Sequence, residues 1–234
     1  MRILVIPGWL MNKNSLRMPK YKLTGLGHEV DIFECPGIDS NVKHVQVTDI
    51  INLLRKKIRC GHYDVIIAHG YSINWLLQMK SLLRGKKVIL LSPCYKNVKE
   101  MWHVIKYVSG ILLNTRALHL PPNIIYKVYD IIHASGELTC SNMVDGYFTC
   151  NARTAQRLLI QTLKLNHDPN RIVEADCLVI HGRRDPLVRC RYSELRQLFS
   201  KYHFIKSECG HDTFNYIGSD VIDFMTDGSV VYEK

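Results

Sequence analysis

Residues 65–75 read Val65-Ile66-Ile67-Ala68-His69-Gly70-Tyr71-Ser72-Ile73-Asn74-Trp75: an apolar run that passes through a short turn into residues with helical spacing. A strand turning sharply into a helix around G-x-S-x-N is the setting in which a serine hydroxyl can be lifted above a sheet edge as a nucleophile. The spacing predicts Ser72 as that nucleophile, with Gly70 leaving room for the strained turn. The Ile73 amide would then stand at a helix N-terminus, able to donate to an oxyanion. The same residues also suit an ordinary serine N-cap, so the rest of the chain must decide.

On both sides of this stretch, β-rich runs alternate with helical ones. Arg2–Pro7, Glu29–Glu34, Asp64–Ala68, Lys87–Ser92, Cys177–His181 and His203–Lys206 carry few polar interruptions, as strands covered on both faces do. Between them, 45–59 and 72–83 repeat apolar residues at helical spacing, for example Val47, Ile50, Ile51 and Leu54. The pattern predicts an α/β fold, an approximately six-stranded, mostly parallel sheet with helices on both faces. From about Tyr95 to Asn166 the rhythm is helical only, broken by Pro121-Pro122 and Gly136. We read 1–94 and 167–234 as the core and 95–166 as a helical cap inserted after the fourth strand.

Two further segments end strands in the order a hydrolytic triad needs. Leu178-Val179-Ile180-His181-Gly182-Arg183-Arg184-Asp185 places an aspartate in the loop after a strand, and Cys209-Gly210-His211-Asp212 follows the last strand. Nucleophile, acid and base would thus be Ser72, Asp185 and His211, in chain order Ser, Asp, His. Asp212 is a rival acid, but sequence neighbours rarely face each other with triad geometry. His69, at the end of its strand, is expected to face packing rather than substrate.

Bulk composition narrows the classes. The chain has 234 residues, with 47% hydrophobic and 22% charged, enough for a full core. The first apolar stretch is broken by Pro7 and Gly8 and followed by Asn12, Lys13 and Asn14, which reads as a buried strand rather than a signal peptide. No segment approaches the roughly 20 apolar residues of a membrane span. Eight cysteines lie scattered without a C-x-x-C pair, so we expect reduced thiols in a cytoplasmic protein and no metal site. A formal charge of +10 predicts attraction to anions, yet no nucleic-acid-binding signature accompanies the basic groups.

Together these segments resemble the α/β-hydrolase superfamily over essentially the whole chain, from Ile3 to Phe224. Val5-Ile6-Pro7-Gly8-Trp9-Leu10 is similar to the family's H-G-W turn after its first central strand, with Pro7 in place of histidine; Asn74 stands where the family has glycine after the elbow. The resemblance implies that the Trp9 and Ile73 amides form the oxyanion hole. It also implies an acyl-enzyme mechanism on an ester or thioester, with no cofactor. The cap, in particular Asn151-Ala152-Arg153-Thr154-Ala155-Gln156-Arg157-Leu158-Leu159, resembles that of the pimeloyl-acyl-carrier-protein methyl ester esterases of biotin synthesis. That likeness implies Arg153 and Arg157 as contacts for an acidic acyl carrier protein, and Met101 and Trp102 as part of an apolar wall for an acyl chain. The competing readings are a generic esterase, thioesterase or C–C hydrolase, and a catalytically silent hydrolase fold that serves as a binding module.

Overall fold

The computed structural model describes residues 1–40, 42–95, 150–168, 172–185, 188, 192–211 and 213–226. Six strands form one all-parallel sheet: β1 (Arg2–Ile6), β2 (Glu29–Ile32), β3 (Val65–His69), β4 (Lys87–Leu91), β5 (Val173–Gly182) and β6 (Phe199–Ser207). Each of the six runs anticipated from the apolar pattern is a strand. The last two extend further toward the N-terminus than the pattern suggests, because alternation with exposed Glu174, Ser200 and Lys201 hides their first turns.

Strand order is β2-β1-β3-β4-β5-β6. The chain winds outward from β1 in one direction and then returns past it in the other. The carboxyl ends of β1 and β3 therefore flank the point where the winding reverses, which is where open α/β sheets bind ligands. The central strands are apolar throughout because both faces are covered: Ile3, Leu4, Val65, Ile66, Ile67, Val88, Leu90 and Leu178 are each 0% exposed.

Helices α1 (Arg17–Gly25) and α2 (Val47–Gly61) make the first two crossovers. A capping box between Gln46 and Asp49 starts α2, which buries Ile50, Ile51, Leu54 and Ile58 against the sheet. The single helix expected over 72–83 is instead a 3₁₀ turn at Gly70–Ser72, a short α3 (Ile73–Leu76) and a second 3₁₀ stretch, Leu77–Leu83, with non-helical dihedrals at Met79. The Asn74 amide explains part of this break. It donates to the Tyr71 and Cys94 carbonyls, 2.9 Å each, and so competes with the backbone for the carbonyl that would otherwise carry a regular first turn.

Helix α4 (Ala152–Leu163) is the described part of the interval read as a cap, and residues 96–149 lie outside the described residues. It is capped by the Asn151 side chain, which accepts from the Thr154 amide. Leu158 and Leu159 belong to the main core. Trp75 Nε1 donates to Thr162 Oγ1 at 2.9 Å, and the Val47 amide donates to Gln161 Oε1 at 3.1 Å. This helix is packed onto the layer that carries α2 and α3. A last helix, α5 (Ser219–Thr226), buries Val221, Phe224 and Met225.

Candidate active site

Strand β3 ends at His69, which has extended dihedrals, φ −108° and ψ 139°. The next residue, Gly70, has φ +59°, a left-handed conformation that an L side chain adopts only under strain. The corner of the strand-to-helix turn is therefore Gly70. Ser72 lies two residues further on, in ordinary helical dihedrals, φ −66° and ψ −14°. Its hydroxyl is fully buried and donates to the His69 carbonyl, 2.7 Å away; no hydrogen bond joins Ser72 to His211 among the described residues.

The two other expected triad residues do meet. Arg183 N donates to Ser207 O, and Arg184 N to Cys209 O, which ties the loop after β5 to the loop after β6. Gly182 makes that approach possible: a Cβ there would collide with the Cys209 and Gly210 carbonyls. His211 Nδ1 comes to lie 2.8 Å from Asp185 Oδ2, with the Asp185 side chain fully buried. Asp185 Oδ1 accepts the Val188 amide at 3.0 Å, and His181 Nδ1 stands 3.8 Å from Oδ2. Burial alone would raise the Asp185 pKa. The His211 charge, the hydrogen bonds from His211 and Val188, and His181 outweigh it and bring the carboxyl down to about 2. The carboxylate is charged at neutral pH and accepts the Nδ1–H, which makes Nε2 the lone-pair nitrogen of the His211 ring. Asp212 lies outside the described residues.

His211 Nε2 faces the corner. A Cβ built on Gly70 would lie 3.7 Å from that nitrogen, and beyond Gly70 and its two chain neighbours no other heavy atom of the described residues comes within 4 Å of that Cβ position. A side chain at position 70 would thus stand beside His211 Nε2.

His69 braces the arrangement from behind. It is buried, stacks on Phe214 at 5.1 Å and meets the His211 ring edge-on at 5.0 Å. Its Nε2 lies 3.1 Å from the His211 carbonyl and must donate to it. Burial first, then the His211 charge, lowers the His69 pKa to about 3, so this imidazole is neutral.

The turn after β1 abuts the same corner, since a Cβ on Gly8 would collide with His69 Nδ1. Trp9 follows, its indole donating to Ala155 O of α4 at 3.1 Å. This location suits the oxyanion-donor role expected of the Trp9 amide. Ile73 is differently placed: its amide turns back onto the Tyr71 carbonyl, and with the corner at Gly70 the amide that follows it is Tyr71's. The Tyr71 hydroxyl is buried with no hydrogen-bond partner among the described residues, and its ring meets Trp75 edge-on at 4.9 Å.

The remaining site expectations fare differently. Met101 and Trp102 lie outside the described residues. Arg153 is exposed on α4, whereas Arg157 Nη2 donates to the Lys43 and Val45 carbonyls at 2.9 and 3.1 Å. Arg157 therefore clamps the loop before α2 and does not project a second docking charge. Asn74 Oδ1 lies 2.9 Å from His167 Nε2, so this departure from glycine is absorbed by a polar network.

Gly70 as the corner itself, rather than as room for a corner at Ser72, and the Tyr71 amide after it escaped the reading of the sequence. The signal was present: Ala68-His69-Gly70-Tyr71-Ser72 sets small residues two before and two after the corner, and a strand running through His69 leaves no other residue to make the turn.

Six parallel strands, a reversal of winding at β1 and β3, and an aspartate and a histidine meeting beyond β5 and β6 define the architecture. The chain has the α/β-hydrolase fold. The structure of olei00960, a hydrolase from Oleispira antarctica, matches 97% of this chain and 91% of its own with a TM-score of 0.73 at 10% identity. The enol-lactonase from Burkholderia xenovorans covers 97% and 91% with a TM-score of 0.63 at 12% identity. The RedJ thioesterase of prodiginine biosynthesis from Streptomyces coelicolor covers 96% and 83%, TM-score 0.59, 11% identity. No family model and no curated protein sequence matches. At such identities the likeness fixes the α/β-hydrolase fold alone. Among the described residues no helix is long and apolar enough to cross a membrane, and no group of three metal-ligating side chains gathers.

Proposed function

We propose that this protein hydrolyses a carboxylic ester or thioester, with His211 as general base and Asp185 as the group that orients it. The observation that carries this reading is the 2.8 Å Asp185–His211 contact, which leaves His211 Nε2 pointing at the corner of the β3 turn. Burying an ionised carboxylate is costly unless it is paired, and here the pairing holds one imidazole tautomer in one direction. A module that only binds has no need of that direction. The Trp9 and Tyr71 amides flank the corner and are the donors for a developing oxyanion. Neighbours named as a hydrolase, an enol-lactonase and a thioesterase are in keeping with this class of reaction.

A carrier-linked acyl group is the narrower substrate. Its support is the exposed Arg153 on α4, together with the net charge of +10. A panel of p-nitrophenyl esters and acyl-CoA thioesters, run with the wild-type chain and His211→Ala, tests the class. Turnover lost by ~10²-fold or more in the variant is the expected result. Equal and negligible turnover by both proteins would turn the reading toward a silent binding module.

A further inference from the structure

Resting on the reading of His211–Asp185 as a hydrolytic base, we propose that the elbow of this site carries no nucleophilic side chain and that His211 activates a water beside Gly70 for direct attack on the acyl carbon. Three observations converge. The left-handed corner of the elbow, where a nucleophile would stand, is a glycine. The direction its side chain would take leads to His211 Nε2, 3.7 Å from the Cβ position, so an oxygen one bond beyond that Cβ would fall within hydrogen-bond reach of the base. The nearest serine in sequence, Ser72, has its hydroxyl buried and committed to the His69 carbonyl at 2.7 Å.

A further nucleophilic side chain near the corner is that of Cys94, whose amide donates to the Gly70 carbonyl at 2.9 Å. Burial, assisted by the Asp185 charge, pushes its thiol up to about 12. A thiol held protonated is a poor attacker.

The step balances without a covalent intermediate. His211 Nε2 takes a proton from water while the water oxygen forms the C–O bond, and the carbonyl π pair moves onto the oxyanion held by the Trp9 and Tyr71 amides. Collapse of the adduct breaks the bond to the alkoxide or thiolate, which takes the proton back from His211. A carboxylic acid and an alcohol or thiol leave, and one water is consumed.

The test compares wild type, Gly70→Ser and Gly70→Ala by fluorophosphonate labelling with peptide mapping, and by burst kinetics on p-nitrophenyl acetate. Wild type should hydrolyse the ester without a burst and without an adduct. Gly70→Ser should be labelled at position 70, at least about tenfold faster than wild type, and should show an acyl-enzyme burst. Gly70→Ala carries the same backbone strain without a hydroxyl, so its melting curve reports whether the corner tolerates a side chain; it should fold and remain unlabelled. If Gly70→Ser fails to fold, wild-type mapping decides. An adduct or burst at Ser72 in wild type overturns direct water attack and leaves the hydrolase reading standing. A folded Gly70→Ser that stays unlabelled overturns the assignment of the corner. Labelled Gly70→Ser with no wild-type turnover on any ester or thioester overturns the hydrolase reading, and water attack with it, while the corner stands.

Discussion

The loops after β5 and β6 and the turn after β3 are built to opposite standards. In the first, Asp185 and His211 lie 2.8 Å apart, the carboxylate is buried, and an amide and a second imidazole attend it. In the second, the position beside His211 Nε2 carries no side chain, and the Ser72 hydroxyl donates to the His69 carbonyl. On the proposed function, the difference teaches that the acid–base half of a hydrolytic site and its nucleophile half are separable. One is held by contacts between distant loops, the other by the identity of a single residue at a strained corner.

The largest effect should come from the complete half. Asp185→Asn and His211→Ala are each expected to lower kcat by ~10²- to 10⁴-fold on any ester the protein turns over, with the fold unchanged by circular dichroism. Asp212→Asn should change kcat by less than about threefold; a larger loss there would hand Asp185's role to its rival.

His69 links the two halves, and its replacement comes next. His69→Phe keeps the stack on Phe214 but removes the donor to the His211 carbonyl, so kcat should fall ~10-fold with KM little changed, and His69→Gln should recover part of the loss. Stability against pH offers a second readout. The folded-state pKa near 3 lies below the ordinary 6.5, so the unfolded chain binds more protons between those values. Stability should therefore fall as pH drops through that window, by up to ~1.4 kcal/mol per pH unit for one proton, and His69→Phe should flatten this slope in urea melts.

Arg157→Ala should destabilise the fold by ~1–3 kcal/mol, because it strips charged hydrogen bonds from the Lys43 and Val45 carbonyls. Arg153→Glu should leave stability within about 0.5 kcal/mol. If a carrier protein docks on α4, only the Arg153 change should raise KM for an acyl-carrier substrate while sparing a p-nitrophenyl ester.

The smallest catalytic effect is expected at Ser72. Ser72→Ala removes one buried hydrogen bond, costing ~1 kcal/mol of stability, and should keep kcat within about threefold of wild type. A ~10³-fold loss would restore Ser72 as nucleophile and sharpen the contrast in the opposite sense.

All six strands were legible because a two-sided parallel sheet must be written in continuous apolar runs. The aspartate and histidine were legible because strand ends are marked by Gly182 and Gly210, and chain order allows few pairings. The elbow was less so. G-x-S-x-N, over 70–74, and small-x-Gly-x-small, over 68–72, share Gly70, Tyr71 and Ser72, and choosing between them needs the last residue of β3. A strand end is a matter of one backbone hydrogen bond, and local composition does not set it.

By itself the sequence determined the layers, the order of the elements and the meeting of Asp185 with His211, since burial of apolar runs and right-handed crossovers leave little choice once the strands are written. Only the tertiary structure decided which residue stands opposite the base. That depends on a dihedral, +59° at Gly70, and on a hydroxyl's choice of partner, the His69 carbonyl over the imidazole of His211. Both are set by how β3 meets the loops from β1, β5 and β6, contacts between segments far apart in the chain that no local window of sequence contains.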